Sequence, residues 1–249
     1  MEPSTIVNII LSMTVLVLLI LITVKLFIRM RETKLSNLKW LIGVFACQAF
    51  IGLAKVAKIE IMFYIVAIIS NVFIIIFTEE TFYKDRKSPF RYILVLALVL
   101  AALILTLVFA REIEPISFYL LDTYLLTILI VISSLWLAAT AFSAYGLIKD
   151  ENISELIKMR YRILGIASLI LAIQGFITPI HTVNQKLLQL DWGVQLYTII
   201  NASVLLVFAF ASFYAWIIIG KKLEQSVDTT SEKEISEEEM MKIIKEAKK

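Results

Sequence analysis

Seven stretches of the chain are apolar enough over their length to lie in hydrocarbon: Ile6 to Ile28, Trp40 to Ala54, Ile61 to Phe77, Tyr92 to Ala110, Tyr124 to Tyr145, Ile163 to Ile180 and Val194 to Ile219. A bilayer core of about 30 Å is crossed by about 20 helical residues. With no water there to bond the backbone, such stretches must close their hydrogen bonds internally. The expected fold class is therefore an all-α integral membrane protein, a seven-transmembrane helix bundle over residues 1–220, with a cytoplasmic polar tail over residues 221–249. The second and third runs are the shortest. Hydrophobic residues make up 60% of the chain, above the roughly 45–50% apolar content of soluble domains.

Basic residues alternate between the connections. Arg29, Arg31, Lys34 and Lys39 follow the first run. Lys84, Arg86, Lys87 and Arg91 follow the third, and Lys149, Lys158, Arg160 and Arg162 the fifth. Lys221 and Lys222 close the seventh, whereas the other connections hold only Lys55 and Lys58, then Arg111, then Lys186. Cytoplasmic loops carry the excess of Lys and Arg, so the expected orientation is N-out/C-in, in agreement with an odd number of spans. The first run is expected to stay as an anchor, because it is too long for a signal peptide and lacks both a basic leading segment and a small-x-small site.

The net charge of +3 comes from these loops. The expected partner is the lipid bilayer and not nucleic acid. Cys47 is the single cysteine, which permits no intramolecular disulfide and no cysteine metal site; it reads as a small buried hydrophobe. His181 is the single histidine, too few for a metal hydrolase built in the bilayer. Phosphate loops, GxSxG and HExxH are missing. Glu60, Glu112, Glu114, Asp122 and Asp191 are expected at or beyond the outer helix ends, and no lysine lies between Val194 and Gly220 to hold retinal. A non-enzymatic protein without a cofactor is expected.

Neutral polar residues recur at mid-depth: Thr14, Gln48, Ser70, Asn71, Ser133, Ser134, Gln174, Asn201 and Ser203. Asn and Gln are costly against lipid and are expected to face the bundle. Two readings stay open. They form interhelical hydrogen bonds, or Thr14, Gln48, Asn71, Ser133, Ser134, Gln174 and Asn201 line a polar cavity. At the outer ends, Lys55, Lys58, Asp122 and His181 form a candidate vestibule, with His181 as a pH-sensitive member; ordinary interface charges are the alternative. Pro179 removes a backbone donor and is expected to bend or end the sixth helix. Trp192 and Tyr197 outside, with Trp40 and Tyr92 inside, fit the interfacial aromatic belt.

The tail begins with a polar linker. Ser236 then opens a capping box with Glu239, acids crowd the first turn, and Met240, Ile243, Ile244 and Ala247 share one face. A short amphipathic helix is expected, with Met240, Ile243 and Ile244 as candidate contacts for a cytoplasmic protein partner; a solvated tail or contact with the membrane are the alternatives. Asn152 with Glu155 reads as a second capping box, opening either a surface helix or a cytoplasmic extension of the sixth span.

The basic loop from Arg29 to Lys34 leading into Trp40, and the inner loop from Phe82 to Lys87, resemble the seven-transmembrane sensory modules of microbial membrane signalling proteins. That resemblance implies a receptor-like bundle. With only residues 221–249 after the seventh span and no attached output domain, its output is expected to pass to a separate partner. The chain is also similar to sugar-exporting carriers built as three plus one plus three helices, through Gly43 and Gln48 in the second run and Gly165 and Gln174 in the sixth, although the Pro-Gln signature of those carriers is missing. The expected function is a receptor-like or partner-binding membrane protein that couples its bundle to a cytoplasmic partner. A small neutral-solute transporter and a structural subunit of a larger membrane complex are the alternatives. The Ile, Leu, Lys and Glu bias fits a prokaryotic cytoplasmic membrane.

Overall fold

The structure, a computed structural model, describes residues 3–56, 59–83, 87–110, 115–149, 154–183 and 191–223. The helices are α1 (Pro3–Thr33), α2 (Leu38–Val56), α3 (Glu60–Thr78), α4 (Phe90–Ala110), α5 (Pro115–Ile148), α6 (Glu155–Thr182) and α7 (Asp191–Phe213). Two of them run on as π-helix, α3 through Glu79–Tyr83 and α7 through Tyr214–Ile218. No strand occurs among the described residues. Among the described residues, six helices are long and apolar enough to cross a membrane, and the apolar stretch of α2, Leu38–Ala54, is shorter. Of the two shortest runs in the sequence, the third thus becomes a full-length helix, carried to Tyr83 by its π-helical turn.

Local chemistry sets the ends. Lys34 leaves α1 with φ 56°, the left-handed conformation that commonly terminates helices. Leu38, Lys39 and Trp40 N–H groups donate to the carbonyls of Leu35, Ser36 and Asn37 as α2 begins. α6 is capped by Ser154, whose hydroxyl accepts from Leu156 N–H at 3.4 Å. The cap is therefore Ser154 rather than Asn152, which lies outside the described residues, and Glu155 starts a helix continuous with the span. Met240, Ile243, Ile244 and the rest of the tail, residues 224–249, also lie outside the described residues.

α5 exceeds its apolar run at the outer end. The run begins at Tyr124, but the helix begins at Pro115 and is 34 residues long, about 50 Å at 1.5 Å per residue. Proline suits a first helical position, where its missing N–H would lack a partner anyway. Asp122 and Thr123 then continue the helix because their side chains find buried partners. The reach of hydrocarbon sets the length of an apolar run; side-chain bonding lets the helix go on.

Contacts close α1, α2, α3, α5, α6 and α7 into a ring, with α1 against α7 and α5–α6 the most extensive pair. α4 packs outside this ring on α3 and α5, and only 22% of its span is buried. One core cluster joins α1, α2, α3, α5, α6 and α7 through residues such as Leu26, Leu41, Phe45, Phe77, Leu137, Leu164 and Phe208. A second joins α3, α4 and α5 through Ile75, Ala97, Ile104, Leu126 and Leu129. Side chains seat in glycine notches: a β-carbon at Gly43 would lie 2.6 Å from the Phe73 ring, and one at Gly165 would lie 3.0 Å from the Phe142 ring.

The helix ends that carry most of the basic residues meet at one end of the ring. Asn37 Nδ2 donates to Thr81 Oγ1 at 3.0 Å, Lys39 Nζ lies 3.5 Å from Glu80 Oε1, Phe82 packs on Tyr161, and the Arg160 guanidinium stacks 3.7 Å above the Trp216 ring. At the opposite end Tyr119 donates to Glu60 Oε2 at 2.7 Å.

Candidate functional site

Between α2, α3, α5, α6 and α7, polar side chains converge on a cavity of about 40 Å³. Gln48, Asn71, Ser134, Gln174 and Asn201, one from each of these helices, line it together with Thr178 and Tyr197. A site for one water needs about 10–15 Å³, so the space accommodates a few water molecules or a polar solute of similarly small size. Its walls are amides and hydroxyls that both donate and accept, interleaved with Ile51, Phe63, Leu126 and Leu205.

Part of this polar set is tied up between helices. Gln48 Nε2 donates to Ser70 Oγ at 3.1 Å, linking α2 to α3. Ser133 Oγ donates to Asn71 Oδ1 at 2.6 Å, linking α5 to α3, while Asn71 Nδ2 donates to Ala67 O at 2.8 Å. These bonds fix the Gln48 and Asn71 side chains at the cavity wall. Among the described residues, Ser134 Oγ and Asn201 Oδ1 have no hydrogen-bond partner although both atoms are buried, and Ser134 is wholly inaccessible. A buried polar atom without a partner costs about 1–3 kcal/mol, and these two lie closed off just behind the cavity surface.

Beside the cavity, α6 continues through Pro179 to Thr182, so the proline neither ends the helix nor limits it to the predicted run. Proline cannot donate to the carbonyl four residues back, which here belongs to Gly175. Thr127 Oγ1 on α5 lies 3.0 Å from that Gly175 carbonyl and 2.9 Å from its own Thr123 carbonyl, so its one proton is shared between the two acceptors, and Gly175 has no side chain to hold the helices apart. The neighbouring helix thus supplies the hydrogen bond that Pro179 withholds. A proline with a glycine four residues before it, and threonines on a companion helix, is a signal the sequence carried but that the mid-depth polar residues overshadowed.

Several predicted positions fall elsewhere. Thr14 does not reach the cavity: it is exposed on α1 and its hydroxyl donates to Ile10 O at 2.8 Å. Bonding its own helix leaves it free to face lipid. Ser203 does likewise with Ile199 O. Ser133 stands behind Asn71 rather than on the cavity wall. Asp122 does not open α5 at an outer vestibule. It lies two turns inside the helix, fully buried, where its Oδ1 accepts from Tyr64 Oη at 3.1 Å and Thr123 Oγ1 at 3.2 Å. Burial among these donors is what permits a carboxyl group there. Lys58 and the side chains of Lys55 and His181 lie outside the described residues. Tyr197 is buried at the cavity rather than in the aromatic belt, whereas Tyr92 is 82% exposed, as a belt residue would be.

No group of three or more His, Cys, Asp or Glu side chains suited to a metal ion occurs among the described residues. No protein-family model matches the chain, and neither does any curated protein or solved structure.

Proposed function

We propose that the chain is a seven-span receptor of the cytoplasmic membrane, N-terminus outward and C-terminus inward, that binds a small uncharged polar solute between α2, α3, α5, α6 and α7. The observation that carries this reading is the convergence of five polar side chains, one from each of five helices, on one cavity. α7 lines the cavity at Asn201 and leads toward the tail, where Met240, Ile243 and Ile244 serve as the contact for a cytoplasmic partner. α2 counts as a span in this topology: its 19 residues reach about 28 Å, nearly the full hydrocarbon thickness.

Binding is tested with urea, acetamide and glycerol on the detergent-solubilised full-length protein, by saturation-transfer NMR. Gln174→Leu or Gln48→Leu removes one polar wall at nearly constant volume and is expected to weaken binding about tenfold, the loss of one hydrogen bond to a buried partner, with helicity unchanged. Variants that lower thermal stability but leave solute binding intact would reduce these residues to interhelical bonding and sink the proposal. A carrier is the second reading, favoured by the position of α4 outside the ring, where it would join two three-helix units. Saturable uptake of the same solutes into proteoliposomes, abolished by Gln174→Leu, would replace the receptor with the carrier.

Orientation has its own test. In a Cys47→Ala background, Glu114→Cys is expected to react with a membrane-impermeant maleimide on intact cells, and Asp85→Cys only after permeabilisation. Labelling of both positions from the same side would eliminate the seven-span topology.

A further inference from the structure

At the basic end of the ring, α1 and the end of α7 enclose an open-sided cleft of about 550 Å³, a volume typical of small-molecule sites. Lys25, Arg29, Lys221 and Lys222 line it with one carboxylate, Glu32, and its apolar wall is Ile28, Phe213, Ile217 and Ile218. Lys25 and Arg29 are four residues apart on α1 and so share a face.

Arg29 is held in place by what its neighbour lacks. A β-carbon on Gly220 would lie 2.7 Å from Arg29 Nη2 and 3.3 Å from its Cζ, so the bare backbone of Gly220 is the seat of the guanidinium. Arg29 is 5% exposed, while Lys25, Lys221 and Lys222 are exposed at the mouth. The π-helical segment Tyr214–Ile218 lies just before Gly220. Each wide turn holds an extra residue and rotates the rest of the helix about its axis, which sets the facing of Gly220 and both lysines. Simple retention of basic residues on the cytoplasmic side requires no glycine seat and no cleft between two helices.

We propose that this cleft binds the phosphate headgroup of an anionic phospholipid, with the Arg29 guanidinium at its floor, the three ammonium groups at its mouth and an acyl chain along Ile28, Phe213 and Ile217. The shared chemistry is a phosphate anion. The apolar wall at the membrane-buried side selects a lipid over a soluble phosphate, which would leave that wall facing nothing it can bind. The site lies apart from the solute cavity and stands whether or not that cavity binds anything.

The test uses delipidated full-length protein in an uncharged detergent, titrated with phosphatidylglycerol or phosphatidylcholine and read by native mass spectrometry. Phosphatidylglycerol is expected to bind with defined stoichiometry and phosphatidylcholine at least tenfold more weakly. Each ammonium group near an anionic headgroup contributes about a fivefold factor in affinity, so Lys25→Gln, Lys221→Gln and Lys222→Gln together are expected to lower affinity about a hundredfold. Lys34→Gln, Lys87→Gln and Arg91→Gln remove equal charge outside the cleft and should change it little. Gly220→Ala keeps every charge but displaces the guanidinium, and is expected to cost about one ammonium's worth of affinity. Equal losses from both triple variants, or equal binding of the two lipids, would reduce the cleft to general surface attraction and overturn the proposal. Displacement of phosphatidylglycerol by excess inorganic phosphate would also overturn it, in favour of a soluble phosphate site.

Discussion

Asp122→Ala is expected to cost about 3 kcal/mol of stability, the largest loss from a single polar side chain in the bundle. The carboxyl group is fully buried and accepts from Tyr64 and Thr123, themselves almost fully buried. Removing the acceptor of the Tyr64 hydroxyl costs about 1–3 kcal/mol, while Thr123 keeps its bond to Tyr119 O at 2.7 Å, and the alanine also leaves a small void between α3 and α5. For a chain of this size the thermal midpoint in detergent should fall by roughly 6–12 °C. Asp122→Asn retains an acceptor oxygen of the same shape and is expected to recover at least half of the loss. A midpoint for Asp122→Ala equal to that of the unmodified protein would show that the Tyr64–Asp122 link contributes nothing to holding α3 on α5.

Gly175→Val should have a comparable effect by a different route. A β-carbon at Gly175 would meet Val131 Cγ2 at 2.7 Å and the Thr127 carbonyl at 3.2 Å, so α5 and α6 must separate along the most extensive helix pair in the structure. Overpacking costs about 1–3 kcal/mol. Separation also breaks the Thr127–Gly175 bond, worth about 0.6 kcal/mol if it is typical of interhelical bonds in membranes, and exposes the carbonyl that Pro179 already leaves without a helical donor. Thr127→Val alone should produce the smaller part of this loss, and it should produce almost none in a Pro179→Ala background, where residue 179 regains an N–H of its own. Gly52→Ala and Gly146→Ala are the controls, since a β-carbon at either position meets nothing within 4 Å. Removing a helical glycine there is expected to be neutral or to stabilise by about 0.5–1 kcal/mol. Equal destabilisation at Gly175 and Gly52 would mean that glycine positions matter through backbone flexibility and not through helix approach.

The all-helical class and the approximate positions of the apolar helices were legible in the sequence because a continuous apolar run of near-bilayer length has few alternatives to a helix. The polar mid-depth residues were legible as a set for a related reason: an amide in an apolar helix must turn away from lipid or bond to something. That argument brought Gln48, Asn71, Ser134, Gln174 and Asn201 together, and the structure places all five around one cavity. It failed for Thr14, because a threonine hydroxyl can bond to its own helix carbonyl and a glutamine or asparagine amide is much harder to satisfy that way.

Asp122 and Pro179 show the other limit. An apolar run ends where polar residues begin, so Asp122 read as a helix end; the structure buries it because Tyr64, 58 positions away in the chain, supplies a donor. Pro179 read as a break for lack of its own N–H, yet α6 continues because Thr127 on another helix bonds the carbonyl that the proline leaves open. Local composition and helical geometry were enough to settle the class of structure, the spacing of the apolar helices and which residue types had to avoid lipid, and all of these can be read along the chain. The polar atoms paired across helices and the place where Gly220 admits Arg29 needed the folded bundle, because each depends on atoms that distant parts of the chain bring within about 3 Å of one another.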